Sequence, residues 1–374
     1  MPSLLQKLLL HPVTRIADRF SSRPDKERIF KALSELYAHI LNNPGKKGPL
    51  IEFSGDNEKF IILSDQHKGA KNGSDDFAAA EKNYLAALEY YNENNFYYIN
   101  LGDSEELWEN TFAAVKKNNT LSFEKEALFL QRNAFIKIFG NHDLDWGNNP
   151  LANINLESIY YQKVSIYEGA ILRTAINGAL LDIFLTHGHQ GDKQSDGNWF
   201  SKWFVANVWA PLQSYLNMNP NTPANNDQLK TEHNSLMYQW SSSRKNLLLI
   251  TGHTHQPVFT SLTHIETLYR QLNIARVANN TEAIKEIEKK ITARILTGEK
   301  LPDFSSIRPT YFNSGCCCFS DGDITGIEIA QGRIRLVKWR YINKIPAREV
   351  LEEITLNKLM DEISSHSLSD EKII

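Results

Sequence analysis

Five times along the chain, a short apolar run stops at a polar residue of a type that binds metal ions. Lys59-Phe60-Ile61-Ile62-Leu63-Ser64 runs into Asp65, and Phe96-Tyr97-Tyr98-Ile99-Asn100-Leu101 into Gly102-Asp103. Phe135-Ile136-Lys137-Ile138-Phe139 runs into Gly140-Asn141-His142-Asp143, residues 179–186 into His187, and residues 247–251 into Gly252-His253. Apolar runs this short, bounded by turn residues, read as strands buried on both faces. Asp75-Asp76 starts a helix whose apolar face is Phe77, Tyr84, Leu85, Leu88 and Tyr91. Upstream, Ile29, Leu33, Leu36, Tyr37 and Ile40 recur at helical spacing until Asn42-Asn43-Pro44-Gly45 ends the run. Strands alternating with helices predict an α/β sheet, in which ligands bind beyond the strand ends. The five polar clusters are therefore expected on one rim.

Other segments break this rhythm. Residues 190–246 hold four of the seven tryptophans, Trp199, Trp203, Trp209 and Trp240. The i,i+4 spacing of Trp199 and Trp203 predicts a helical lid. Residues 261–298 read as two helices, the second carrying Ile284, Ile287, Ile291 and Ile295 and ending near Gly298. Residues 326–339 alternate as strands about a Gln331-Gly332 turn, and a charged amphipathic helix is expected from Pro346 onward. The organisation predicted is a helical extension over 1–50, a core over 51–345 carrying the lid 190–246 and the hairpin 261–298, and a helix and tail over 346–374. By length alone, 374 residues allow two or three domains. The polar clusters span Asp65 to His255 and further strands follow Tyr311, so most of the length is expected in one core.

Composition removes whole classes of function. Hydrophobic residues at 41% and charged residues at 23% exclude wholesale disorder and fibrous architectures. Lys and Arg number 41 against 44 Asp and Glu, so the chain has no global attraction for nucleic acid. Charge within 190–250 is mixed as well, with Lys193, Lys202, Lys230, Arg244 and Lys245 against Asp192, Asp196, Asp227 and Glu232. No apolar run approaches the ~20 residues of a bilayer span. Leu4–Leu10 is interrupted by Gln6 and Lys7 and lacks a cleavage site. A cytoplasmic location is expected, with peripheral membrane contact through the Trp-rich segment as a further possibility to test. Cys316, Cys317 and Cys318 are adjacent and lack zinc-ligand spacing, so they read as small apolar residues of a buried strand.

Histidine changes the picture. Six of the 11 fall in the clusters: His67, His142, His187, His189, His253 and His255. The chemistry they suggest is a two-metal site, in which paired cations clamp a phosphoryl group and lower the pKa of a bound water. Such cations repel each other, and Asp103 is the natural anionic bridge. In Asp65-Gln66-His67 both ligands can reach one ion, whereas His253-Thr254-His255 can serve two. Glycines at 102, 140, 188 and 252 allow close backbone approach. Asp143 reads as a turn stabiliser.

In chain order, Asp65-Gln66-His67, Gly102-Asp103-Ser104-Glu105-Glu106, Gly140-Asn141-His142-Asp143, His187-Gly188-His189 and Gly252-His253-Thr254-His255 resemble the motifs of the calcineurin-like metallophosphoesterase superfamily. The likeness covers roughly residues 59–257, and Tyr311-Phe312-Asn313-Ser314-Gly315 is similar to the family's later strand. It implies an α/β fold, a four-layer αββα sandwich, here with helical insertions. It implies that Asp65, His67 and His255 hold one metal, that Asn141, His187 and His253 hold the other, and that Asp103 bridges them. The cofactors implied are two divalent ions, Mn²⁺ first, with Fe, Zn, Ni or Mg compatible. His142 would serve the leaving-group oxygen, oriented by Glu106 where many members have Asp. The reaction implied is in-line attack of metal-bound hydroxide on a phosphoester or pyrophosphate.

The run Gly102–Trp108 also resembles UDP-2,3-diacylglucosamine pyrophosphatases, which carry a lid where residues 190–246 fall. Those enzymes commonly have Arg at the position of His142, and the insertion after His255 departs from their pattern. The substrate expected is therefore a small or lipid-linked phosphoester, with His189 and Arg244 as candidate contacts. The competing readings are a nuclease, which needs a basic groove, and a silent scaffold, which needs degraded ligands; all seven ligand positions are intact.

Overall fold

The apolar runs fold as strands whose alternate side chains enter two different cores. The structure, a computed structural model, describes residues 24–55, 57–72, 75–191, 227–263, 271, 272, 275, 276, 280–295 and 308–370. Its strands are β1 (Leu50–Glu52), β2 (Phe60–Leu63), β3 (Tyr97–Leu101), β4 (Phe135–Ile138), β5 (Ile166–Tyr167), β6 (Gly169–Ile176) and β7 (Ala179–Thr186). After these come β8 (Leu247–Thr251), β9 (Val258–Phe259), β10 (Leu262–Thr263), β11 (Tyr311–Asn313), β12 (Ile324–Ala330), β13 (Arg333–Ile342) and β14 (Ile345–Thr355). They form two sheets, ordered β1-β6-β7-β8-β11-β9-β10 and β14-β13-β12-β2-β3-β4-β5. Phe60, Ile62, Ile99 and Leu101 from one sheet share a core with Ile183, Leu185, Leu248 and Ile250 from the other. Their sequence neighbours Ile61, Leu63 and Tyr98 face a second core on the outside, and Phe184, Leu247 and Leu249 a third. Burial on both faces explains runs that are continuously apolar rather than alternating.

Helices cover both outer faces and complete the four-layer αββα sandwich. The helices are α1 (Lys26–Asn42), α2 (Phe77–Glu93), α3 (Phe112–Asn118), α4 (Thr120–Gln131), α5 (Asp145–Asn148), α6 (Ala152–Tyr160), α7 (Asp227–Ser242), α8 (Thr281–Ile295) and α9 (Leu356–Asp370), of which α9 buries Leu356, Leu359, Met360 and Ile363 in the core between the sheets instead. In α1, Asp25 caps the start by accepting from Arg28 N (3.0 Å), and Ile29, Leu33, Leu36 and Ile40 are buried. That stripe packs with Phe184 and Leu249, so α1 is a layer of the sandwich rather than an extension standing apart. On the other sheet, α2 buries Phe77, Tyr84, Leu88 and Tyr91. No helix among the described residues is long and apolar enough to cross a membrane.

Three expectations need correction. Residues 345–355 are the strand β14 and not the start of a helix, which begins only at Leu356. Asn343 and Lys344 both have positive φ (52° and 66°), the mark of a tight hairpin turn that returns the chain along β13. Of the segment expected as a lid, residues 227–242 are α7, which lies on the sheet. Its Trp240 is fully buried and donates to Ser34 Oγ (3.0 Å). Trp199, Trp203 and Trp209 lie outside the described residues. The expected hairpin over 261–298 opens with β10 rather than a helix; residues 271, 272, 275 and 276 are helical, α8 stands where the second helix was expected, and the rest of the first half lies outside the described residues.

Candidate metal centre

The parallel strands β2, β3 and β4 of one sheet and β7 and β8 of the other end on the same rim. Backbone bonds continue the pairing past the strands. Asp65 N donates to Gly102 O (3.0 Å), His67 N to Asp103 O (2.9 Å) and Gly252 N to His187 O (3.0 Å). The carboxylates then seize neighbouring loops: Asp65 accepts from His253 N (3.0 Å) and Asp103 from His142 N (2.8 Å). Five of the seven candidate ligands have left-handed backbones: Asp65 (φ 53°), His67 (49°), Asp103 (49°), His253 (69°) and His255 (55°). Each such residue costs on the order of 1–3 kcal/mol, a strain that concentrates at functional sites. Glycine beside them is a matter of space. A Cβ on Gly140 would lie 2.2 Å from Asp103 Oδ1, and one on Gly252 2.4 Å from Asp65 Oδ2.

These loops bring six of the seven candidate ligands together in two groups, and Asn141 follows β4 on the same rim. In the first, His255 Nε2 lies 3.2 Å from both Asp65 Oδ1 and His67 Nε2. In the second, His187 Nε2 lies 3.1 Å from Asp103 Oδ2, and Asp103, His187 and His253 offer ligand atoms within 4.8 Å of one another. Asp103 also groups with His67 and His142, so it belongs to both sides. Asn141 Oδ1 and His253 Nε2 are buried without a hydrogen-bond partner among the described residues, and His187 Nε2, though close to Asp103, makes no well-directed hydrogen bond there. Such orphans are costly unless something binds them, and nitrogen and oxygen donors aimed at one another fit divalent cations. The remote ring nitrogens are held elsewhere. His67 Nδ1 pairs with Glu106 Oε2 (2.8 Å), His187 Nδ1 donates to Leu101 O (2.8 Å), and His255 Nδ1 faces Cys318 Sγ (3.8 Å). That arrangement leaves each Nε2 facing inward.

Charge follows the geometry. Burial alone would push the Asp103 carboxyl up, but the imidazoles of His187, His142 and His67 hold it well below the carboxylate range. Burial would likewise lower His187, yet Asp103 and Asp65 raise it to about 9. His253, buried against His233 and His187, is pushed well below its usual value.

Beside the ligands stands a second arrangement. Glu106 Oε2 reaches His142 Nδ1 (2.7 Å) as well as His67 Nδ1, so one carboxylate orients both rings. Against the opposing effect of burial, Glu106 is lowered to about 2 by His142 and His67, and His142 is raised to about 9 by Glu106 and Asp103. Trp108 stacks on His142, with centroids 4.2 Å apart and planes at 19°. Asp143 anchors the turn, accepting from Gly140 N (2.6 Å) and Ser104 N (2.8 Å).

The two residues proposed from sequence as substrate contacts fare differently. Arg244 precedes β8, whereas the ligands follow it, roughly 16 Å away at ~3.3 Å per residue. Its guanidinium lies over Trp240 and donates to Ser34 Oγ (2.5 Å) in the outer helical layer, which removes it from the site. His189 is buried beside His187 (ring centroids 5.4 Å apart) and is not solvent-facing. The cysteines are buried as expected, but they lie in the loop after β11 and not in a strand.

Other residues had no signal of their own in the sequence. His233 and Asn234 reach the site from α7. Beneath the loops lies a fully buried ionic cluster: Lys137 Nζ is 2.9 Å from Glu105, Lys68 bonds Glu126, and Trp146 Nε1 donates to Glu105 Oε2 (2.7 Å).

The family model described as calcineurin-like phosphoesterase matches residues 58–257. No curated protein matches the chain. Similar solved structures include vacuolar protein sorting 29 from Cryptosporidium parvum, at 12% identity and a TM-score of 0.31, covering 80% of this chain and 98% of that one. A point mutant of a cold-active protein tyrosine phosphatase gives 10% identity and a TM-score of 0.35, covering 81% and 82%. A single mutant of Vps29 from Entamoeba histolytica gives 11% and 0.29, covering 78% and 98%. With the family model spanning more than half of its length, the chain belongs to the calcineurin-like phosphoesterase family.

Proposed function

We propose that the chain is a phosphohydrolase that works with two divalent ions on a small or lipid-linked phosphoester or pyrophosphate. The observation that carries this reading is the position of Asp103, one buried carboxylate common to two groups of inward-facing donors. Asp65, His67 and His255 would hold one ion, and Asn141, His187 and His253 the other. Two such ions would supply an activated water and neutralise phosphoryl charge. The mixed nitrogen and oxygen donors suit Mn²⁺, with Fe, Zn, Ni or Mg as competitors. His142 gives Nδ1 to Glu106, which leaves Nε2 to carry a proton toward the leaving oxygen. Stacking on Trp108 fixes the plane of that ring. The buried Nδ1 of His189, with no partner among the described residues, keeps it a candidate substrate contact. The proposed setting is cytoplasmic.

A hydrolysis screen of phosphomonoesters, diesters and pyrophosphates with added Mn²⁺, beside elemental analysis of the purified protein, tests the reading. Turnover of at least one class, lost on chelation and restored by metal, is expected. No turnover with any of the candidate ions would sink it. Within that assay, His142→Ala should keep its metal and lose about 10²–10⁴-fold in kcat on esters with poor leaving groups. Esters of nitrophenol, which leave without a proton, should suffer far less. Loss of both ions in this variant would contradict the role given to His142.

A further inference from the structure

The two His-x-His loops of the site are gripped by a helix that lies outside every motif. His233 and Asn234 are consecutive residues of α7 and both are buried, His233 to 3% exposure. His233 Nε2 donates to the carbonyl of Gly188 (2.8 Å), the residue between His187 and His189. Its ring meets that of His253 edge-on, with centroids 5.1 Å apart. Asn234 Oδ1 accepts from the hydroxyl of Thr254 (3.2 Å), the residue between His253 and His255, and from Tyr311 OH (2.8 Å). Its Nδ2 donates to Gln256 Oε1 (2.8 Å). One turn further along, Leu236, Met237 and Trp240 bury α7 against the sheet, so the pair stands on a fixed base.

We infer that His233 and Asn234 are positioning residues for the second metal position, fixing His187 and His253 by holding the residue next to each. The inference rests on the two-ion reading above. The physical case is that a buried loop keeps one arrangement only while its backbone polar groups are satisfied. The backbone carbonyl of Gly188 is satisfied from α7, and so is the side-chain hydroxyl of Thr254, whose oxygen also accepts from Asn313. Among the candidate ligands, His187 and His253 are also the histidines whose buried Nε2 atoms make no hydrogen bond to the described residues, so displacing either ring misaims an atom that faces the proposed ion. His233 makes no such hold on the first position: Asp65 and His67 are fixed by Gly102, Asp103 and Glu106, and only His255 stands beside residues that α7 holds, through Asn234.

The test is calorimetric titration of the metal-stripped full chain with Mn²⁺, with stoichiometry checked by elemental analysis. His233→Phe keeps a ring against His253 and removes the donor to Gly188. It should retain one tight ion and bind the other about 10–100-fold more weakly, the usual range for losing a partner of a metal ligand. His233→Gln, whose amide can donate in place of Nε2, should restore most of that affinity, a rescue that a purely packing role would not give. Asn234→Ala should weaken that ion too, and, because it also frees Thr254 and Gln256 on either side of His255, the first ion to a lesser degree. Two ions bound by His233→Phe as tightly as by wild type would overturn the inference and leave the two-ion reading standing. Fewer than two ions on the wild-type chain would overturn both. If His233→Phe does not fold, His233→Gln and Asn234→Ala decide: an Asn234→Ala chain with both ions at wild-type affinity overturns the inference.

Discussion

Asp103→Asn should leave a folded protein with almost no metal-stimulated hydrolysis. The substitution is close to silent for the backbone. Asp103 sits at φ 49°, and Asn tolerates the left-handed region better than almost any other side chain. Its amide oxygen can still accept from His142 N, as Asp103 Oδ1 does at 2.8 Å. What disappears is the negative charge that four imidazoles surround. His187, His142 and His67 hold that carboxyl ionised despite complete burial, and it is the member common to both donor groups. A neutral amide cannot offset the repulsion of two cations. Losing roughly 4 kcal/mol of charge stabilisation, within the several kcal/mol expected of such ions, slows turnover about a thousandfold. Metal content should fall with it, and the metal-free protein should stay folded while losing the stability that the ionised carboxyl shares with His187 and His142. Turnover within a few-fold of wild type would remove the shared-carboxylate reading.

The parts of this site that were legible in the sequence are those in which chemistry is local. Each ligand group follows a strand by one to three residues, and those strands are buried on both faces, so an apolar run followed by Asp, Asn or His reads directly as a strand end facing a rim. The same logic failed for β14. Its burial is partial on both faces, and Leu351 and Ile354, which pack on the inter-sheet core, happen to be three apart, as on a helix. Its charges looked like a solvated helical face. They are cross-strand pairs: Arg348 bonds Glu328 bidentately at 2.6 Å, and Arg335 bonds Glu353. Trp240 looked like part of a lid because aromatic content is the same for a lid and for a packed layer. His233 carried no signal because its partner, Gly188, is 45 residues away, and only the path of α7 across the sheet joins them. Glu106 was read as the partner of His142, but its simultaneous hold on His67 depends on how two loops meet and on a side chain long enough to reach both.

Glu105→Gln should be among the most destabilising single substitutions in the molecule, although Glu105 itself touches none of the candidate ligands. Lys68, Lys137, Glu105 and Glu126 are all fully buried, two basic and two acidic side chains out of contact with the surface. Glu105 binds Lys137 Nζ (2.9 Å), Ser104 Oγ (2.8 Å) and Trp146 Nε1 (2.7 Å), with Lys68 Nζ at 3.4 Å. Glu126 holds Lys68 and accepts from Tyr84 OH (2.7 Å) and Tyr160 OH (2.6 Å). Burial would raise the Glu105 carboxyl, but Lys137 and Lys68 hold it down at about 2. A carboxylate depressed in this way contributes its stability above its unfolded value and loses it only as pH falls toward 2, so Glu105 is ionised at neutral pH. Removing one anion leaves an uncompensated buried ammonium, which costs about 3–5 kcal/mol. Glu105→Gln combined with Lys137→Met removes a whole pair and should cost less than the sum of the two single changes, with a coupling of roughly 1–3 kcal/mol. Chemical denaturation of the four chains measures it. Additive losses, or a Glu105→Gln chain within 1 kcal/mol of wild type, would show that the charges are not coupled. Glu105 stands between Ser104 and Glu106, and Lys68 follows His67. The cluster therefore anchors the two loops that present Asp65, His67, Asp103 and Glu106. Metal affinity should decline in the single variant and recover in part in the double, which ties the aim of the ligands to a buried charge balance beneath them.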